Sequence, residues 1–121
     1  NDGDVDLVVT NDGGPARILR NDTPSSGHWL LVRAVDLKLG GRDVVGAQVH
    51  VSGGGRQWRR WVNPGASYLS SHDPRVHFGL GSTSAVESLV VTWPDGVKER
   101  FTIDAVDRQW TVKRGSGEPA P

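Results

Sequence analysis

The chain has 121 residues, 36% of them hydrophobic, and no cysteine; at that length one domain can bury a core of its own without disulfide staples. Fourteen basic residues balance fourteen acidic ones, so the electrostatic footprint of a nucleic-acid or anionic-membrane binder is missing. The apolar runs are only a few residues long, too short to span a bilayer.

Sixteen glycines and seven prolines punctuate the chain, and the intervals between them are short, β-branched and aromatic, the pattern of an all-β sandwich or barrel. Val5–Thr10 is the first strand, closed by Asn11-Asp12-Gly13-Gly14-Pro15, and Ala16–Arg20 is a shorter second. His28–Asp36 begins apolar on both faces, which predicts a central strand. Ala47, Val49 and Val51 alternate with Gln48, His50 and Ser52, so one side of that strand is buried. Gly53-Gly54-Gly55 then turns the chain into Arg56–Asn63, a hairpin.

Leu89, Val91 and Trp93 repeat the alternation, and Pro94-Asp95-Gly96 presets a tight turn into Val97–Ile103. Trp110–Arg114 reads as the last strand and Gly115–Pro121 as a frayed tail. No stretch of ten residues carries helical periodicity; Ser82–Glu87 has room for one short turn. The expected fold is an antiparallel β-sandwich of about seven to nine strands, Greek-key or jelly-roll in topology. Its core should hold Leu30, Val32, Ala47, Val49, Val51, Leu69, Phe78, Leu80, Leu89, Val91, Trp93, Phe101, Trp110 and Val112.

Asn1-Asp2-Gly3-Asp4-Val5-Asp6 reads as the second half of a calcium loop of the form D-x-D-N-D-G-D-x-D. Calcium needs several hard oxygen ligands from alternate residues on a curled loop, with glycine at the bend. In that register Asp2 and Asp6 give carboxylates, Asp4 a backbone carbonyl, and the two leading ligands would precede residue 1. The opening residues thus read as the middle of a motif, and the chain as a piece of a longer protein. Calcium is expected in the intact parent and not in this stretch alone, where the bland reading is a solvated acidic turn.

The same residues, with VDLVVTNDGGPARILRND, resemble the last FG-GAP (VCBS-type) repeat, a blade of integrin-like β-propellers. Beyond them, GRDVVGAQVHV (41–51), NPGASYLSSHDPRVHFGLG (63–81), VESLVVTWPDG (86–96) and DRQWTVKRG resemble, in order and spacing, the ASPIC/UnbV domain. The resemblance divides the chain into a propeller remnant at 1–22, a sandwich at 28–115 and a tail at 116–121. It implies a secreted or cell-surface protein whose propeller is associated with calcium, and it brings no established chemistry for the domain itself. The family pattern has a polar residue, often Gln, near Ser71-His72, where this chain has His72.

Ser67, Ser70, Ser71, His72 and Asp73 crowd one loop. A catalytic triad needs its members to converge from separated positions beside an oxyanion hole, and no G-x-S-x-G elbow is present. A self-bonded corner is the better reading, and no enzyme is expected. Of His50, His72 and His77, only the last two are near in sequence and neither sits on a helix. Packing therefore outweighs metal binding, with His50 facing solvent and His77 beside Phe78.

Five tryptophans are many for this length. Trp93 and Trp110 follow inward parity, whereas Trp58 and Trp61 lie on opposite faces of one strand, so at most one shares the core. Arg56, Arg59 and Arg60 flank them. Trp58, Arg59, Arg60, Trp61, Tyr68 and His72 are therefore the candidate binding residues.

Two functions follow. The first is a non-catalytic adhesion or scaffold module that meets a protein partner or the adjoining propeller. The alternative is a carbohydrate-binding module using exposed Trp and Tyr. A lone exposed Trp ringed by arginines favours the first, and an exposed coplanar pair of aromatic rings the second. Neither nucleic acid nor membrane insertion is expected.

Overall fold

The computed structural model describes residues 3–24 and 27–121. Among them lie eleven strands and no α-helix. In order they are β1 (Leu7–Asn11), β2 (Gly14–Leu19), β3 (His28–Asp36), β4 (Arg42–Asp43), β5 (Gln48–Gly53), β6 (Arg56–Trp61), β7 (Val76–Gly81), β8 (Ser88–Thr92), β9 (Lys98–Phe101), β10 (Arg108–Lys113) and β11 (Glu118–Pro119).

Period-two patterning sets the architecture. On β5 and β8 the apolar residues Val49, Val51, Leu89 and Val91 fall on one face, and each is fully buried. They meet Leu30 and Val32 of β3 and Phe78 and Leu80 of β7, also fully buried, in one cluster. Two sheets therefore enclose a single core, with each large buried side chain worth about 1.5–3 kcal/mol. The five-stranded sheet has the order β11-β9-β8-β5-β6, so β6 forms one of its edges. In the four-stranded sheet β3 is central, with β10 along one side and β7 and β4 along the other. These two sheets hold nine strands, in line with a β-sandwich; the other two, β1 and β2, form a separate hairpin.

Four expectations are corrected. The sheets are not wholly antiparallel, because β10 runs parallel to β3 from Arg108↔Leu30 to Lys113↔Val35. Residues 115–121 are not a frayed tail: β11 pairs with β9, and Ala120 N–H donates to Lys98 O at 3.0 Å. Leu69 is no core residue but is 89% exposed, in a loop with φ of 51°. His77 does not pack beside Phe78; successive residues of a strand point to opposite faces, so Phe78 is buried while His77 lies on the outer face against Trp29. Phe101 and Trp110 are partly buried at the margin of the core.

The Pro94-Asp95-Gly96 turn forms as its residues demand. Gly96 takes φ of 87°, its N–H donates to Trp93 O, and Trp93 N–H donates to Val97 O, each at 2.8 Å.

Candidate functional site

The segment before β1 folds back over the outer face of the four-stranded sheet. His77 Nε2 donates to the Gly3 carbonyl at 2.8 Å. Gly3 lies so close to Trp29 that a Cβ built on it would stand 2.2 Å from the indole nitrogen. Only glycine permits this approach, and its φ of 98° is also one that glycine readily adopts. Between this segment and the sheet is a cleft of about 350 Å³.

Trp29 and Leu31 of β3 and His77 of β7 form its floor, and Asp4, Asp6 and His72 contribute to its walls. The rings of Trp29 and His77 are nearly parallel, at 17°, with centroids 6.4 Å apart. The pair is stacked with an offset, and Gly3 lies against the indole. At the rim, Arg75 Nε bonds both carboxylate oxygens of Asp73 at 2.9 Å, and Arg75 Nη1 donates to Gln109 at 2.7 Å. The hydrogen bond from Arg75 holds the Asp73 carboxyl below the usual carboxylate range.

The structure thus brings three sequence candidates, Asp4, Asp6 and His72, into one cleft. Asp2 lies outside the described residues. Asp6 Oδ1 accepts the Asn21 backbone N–H at 2.8 Å, so this carboxylate is partly engaged by its own hairpin. No group of three or more acidic, histidine or cysteine side chains suited to a metal ion occurs among the described residues.

The other candidates lie elsewhere. Trp58, on β6, faces inward, half-buried against the core, with the Arg56 guanidinium 5.2 Å from its ring centre. Arg59, Arg60 and Trp61 are exposed on the same edge strand, Trp61 at 56%. Tyr68 is 88% exposed in the loop between β6 and β7. No ring contact joins Trp58, Trp61 and Tyr68 among the described residues. Ser70, His72 and Asp73 share no side-chain hydrogen bond there, and Asp73 is committed to Arg75.

Sequence reasoning missed Trp29 as a site residue. Its position on a strand that starts apolar on both faces marks it as covered on its outer side, but not by what. Also missed was the pair His28–Asp107. His28 Nδ1 lies 2.7 Å from the Asp107 carboxylate, which also accepts Trp29 N–H at 3.0 Å. These bonds, that from His28 first, lower the Asp107 pKa. They fix the start of β3 at Trp29.

The sequence profile of the family described as ASPIC and UnbV matches residues 38–119. Cartilage acidic protein 1 of Mus musculus is 34% identical over 78% of this chain and 15% of its own length. The Homo sapiens protein of the same name is 33% identical over 78% of the chain and 14% of its own length. The chain spans about 15% of the length of the curated relatives it matches. With a single family profile covering most of the sandwich, the chain belongs to the ASPIC and UnbV family.

Proposed function

We propose that the chain is a non-catalytic contact module of an extracellular protein, packed through β1 and β2 against the rest of its polypeptide and offering β6 to a protein partner. The hairpin carries this reading. Every residue of β1 and β2 is exposed, among them Leu7 at 58%, Val8 at 69% and Ile18 at 76%. Val8 pairs with Ile18 on one face and Leu7 with Leu19 on the other, so both faces are apolar. A two-stranded hairpin is marginal by itself in water, and apolar residues on both faces suit a strand pair covered on both sides. The resemblance of residues 1–22 to an FG-GAP repeat supplies the occupant, the preceding part of a propeller, and any calcium site would belong to that longer polypeptide. At the other end, Trp61 beside Arg59 and Arg60 has the composition of a protein interface.

Hydrogen exchange tests this reading. The amides of residues 7–19 should exchange rapidly in this chain and become protected in a longer polypeptide that carries the upstream segment. Equal exchange in both would remove the packing claim. Calcium calorimetry on the same two proteins should give tight binding only in the longer one; tight binding in both would return the metal to Asp4 and Asp6.

A further inference from the structure

We infer that β6 takes an added strand: an extended, acidic segment of a protein partner pairs along its open edge through main-chain hydrogen bonds, with its carboxylates on Arg56, Arg59 and Arg60. The inference deepens the reading of β6 as the strand offered to a partner, and rests on it.

The register shows which backbone groups are open. Gly54 and Gly55 take φ of 54° and 71°, as a two-residue hairpin turn requires, so the closing pair Gly53 and Arg56 is hydrogen-bonded. Past the far end of the strand, Val62 N–H donates to Ala47 O and Val62 O accepts from Gly46 N–H, each at 2.9 Å. Main-chain groups alternate in direction along an antiparallel pair, so Arg56, Trp58, Arg60 and Val62 turn theirs toward β5. Those of Gln57, Arg59 and Trp61 point the other way. β6 is the edge of its sheet, and all of it is exposed except the half-buried Trp58. Among the described residues no other strand pairs with it, and its outer groups meet only Arg60 Nη1, which donates to Arg59 O at 3.1 Å.

The side chains decide what fits. Arg56, Trp58 and Arg60 lie opposite the buried Gly53, Val51 and Val49, on the core-side face, and Gln57, Arg59 and Trp61 lie on the outer face. Guanidinium groups therefore flank the open edge on both faces, the strand has no carboxylate, and none of its arginines is in an ion pair among the described residues. A strand added about 4.8 Å away places its side chains on the same two faces. Carboxylates on either face then meet an arginine, and an apolar side chain on the outer face packs on Trp61, which is 56% exposed. Main-chain bonds supply the affinity of such pairing and the flanking side chains its specificity. A second copy of β6 would set arginine against arginine, which is unfavourable. A sulfated glycan would match the charge but not the alternating donors and acceptors. Charges on an edge strand also deter pairing, but that defence is built with bulges and proline, whereas β6 has an unbroken register, no proline and an exposed tryptophan.

The test titrates the chain with a short synthetic peptide of glutamate, threonine, valine and tyrosine, acidic and rich in strand-forming residues. The same peptide methylated on its backbone nitrogens, a version with lysine for glutamate, and a sulfated glycosaminoglycan serve as comparison ligands. Proton–nitrogen NMR and amide exchange give the readout. In the free chain the amides of Gln57, Arg59 and Trp61 should exchange fast and those of Trp58 and Arg60 slowly. The acidic peptide should give saturable shifts centred on β6 and slow the three fast amides; the methylated peptide should do neither. Arg59→Glu combined with Arg60→Glu, both at exposed positions, should weaken binding roughly tenfold at an unchanged melting temperature and should take up the lysine peptide instead. Strand addition is overturned, with β6 still a contact surface, if the methylated peptide shifts β6 as strongly or if the three amides stay fast at saturation. It is also overturned if the double variant binds like the parent or if only the glycan binds. If no ligand shifts β6, the reading of this strand as the surface offered to a partner falls with it.

Discussion

Three residues carry local stability that single substitutions can isolate. Gly96 has open space around its Cβ and φ of 87°. Gly96→Val should therefore cost about 1–3 kcal/mol through backbone strain alone; thermal melting equal to the parent would mean the turn is wrongly assigned. Glu99 is 8% exposed, and its carboxylate accepts the buried Trp93 indole N–H at 2.7 Å and Gly115 N–H at 2.9 and 3.0 Å. Glu99→Ala strands the indole donor and should cost about 1–3 kcal/mol in a denaturant titration, with Glu99→Gln closer to the parent. Asp107 sits at φ of 58°, which Asn tolerates well, so Asp107→Asn removes charge without straining the backbone. Its folded pKa is depressed, so its contribution is present above the ordinary aspartate value of about 3.9 and is lost as pH falls through the lower folded value. Parent and Asp107→Asn should accordingly differ in stability at neutral pH and converge in acid. A constant gap across that range would refute the role given to the His28 bond.

At the scale of elements, what was legible in the sequence is what has a local signal. The alternation on β5 and β8, the glycine turn between β5 and β6, and the Pro94-Asp95-Gly96 turn can all be read because side-chain period and turn chemistry are written in neighbouring residues. The parallel pairing of β10 with β3 joins Val112 to Ala34 and has no such signal. Leu69 fits an inward position by type, and only the left-handed turn of its loop carries it into solvent. Asp4, Asp6 and His72 were visible as chemistry but not as one site, because their meeting depends on the N-terminal segment lying across Trp29 and His77. Gly3 makes that crossing possible. Gly3→Ala should push the segment off the indole and break the His77 bond, read as a changed Trp29 indole resonance and faster exchange at residues 4–6. An unchanged spectrum would contradict the docking described.

For the whole molecule, the contrast is between a sandwich closed around its own core and a hairpin with none. In the proposed function the exposed apolar side chains of β1 and β2 form a protein-facing surface. The most direct test places Val8→Asp with Ile18→Asp in two contexts, this chain and the longer polypeptide, and measures thermal melting of both. Neither residue belongs to the core cluster. The double variant should thus melt like the parent in this chain and several degrees lower in the longer polypeptide, where two charges would be buried unpaired. Equal melting of variant and parent in the longer polypeptide would show that nothing covers the hairpin, and would contradict the account of this chain as a packed contact module.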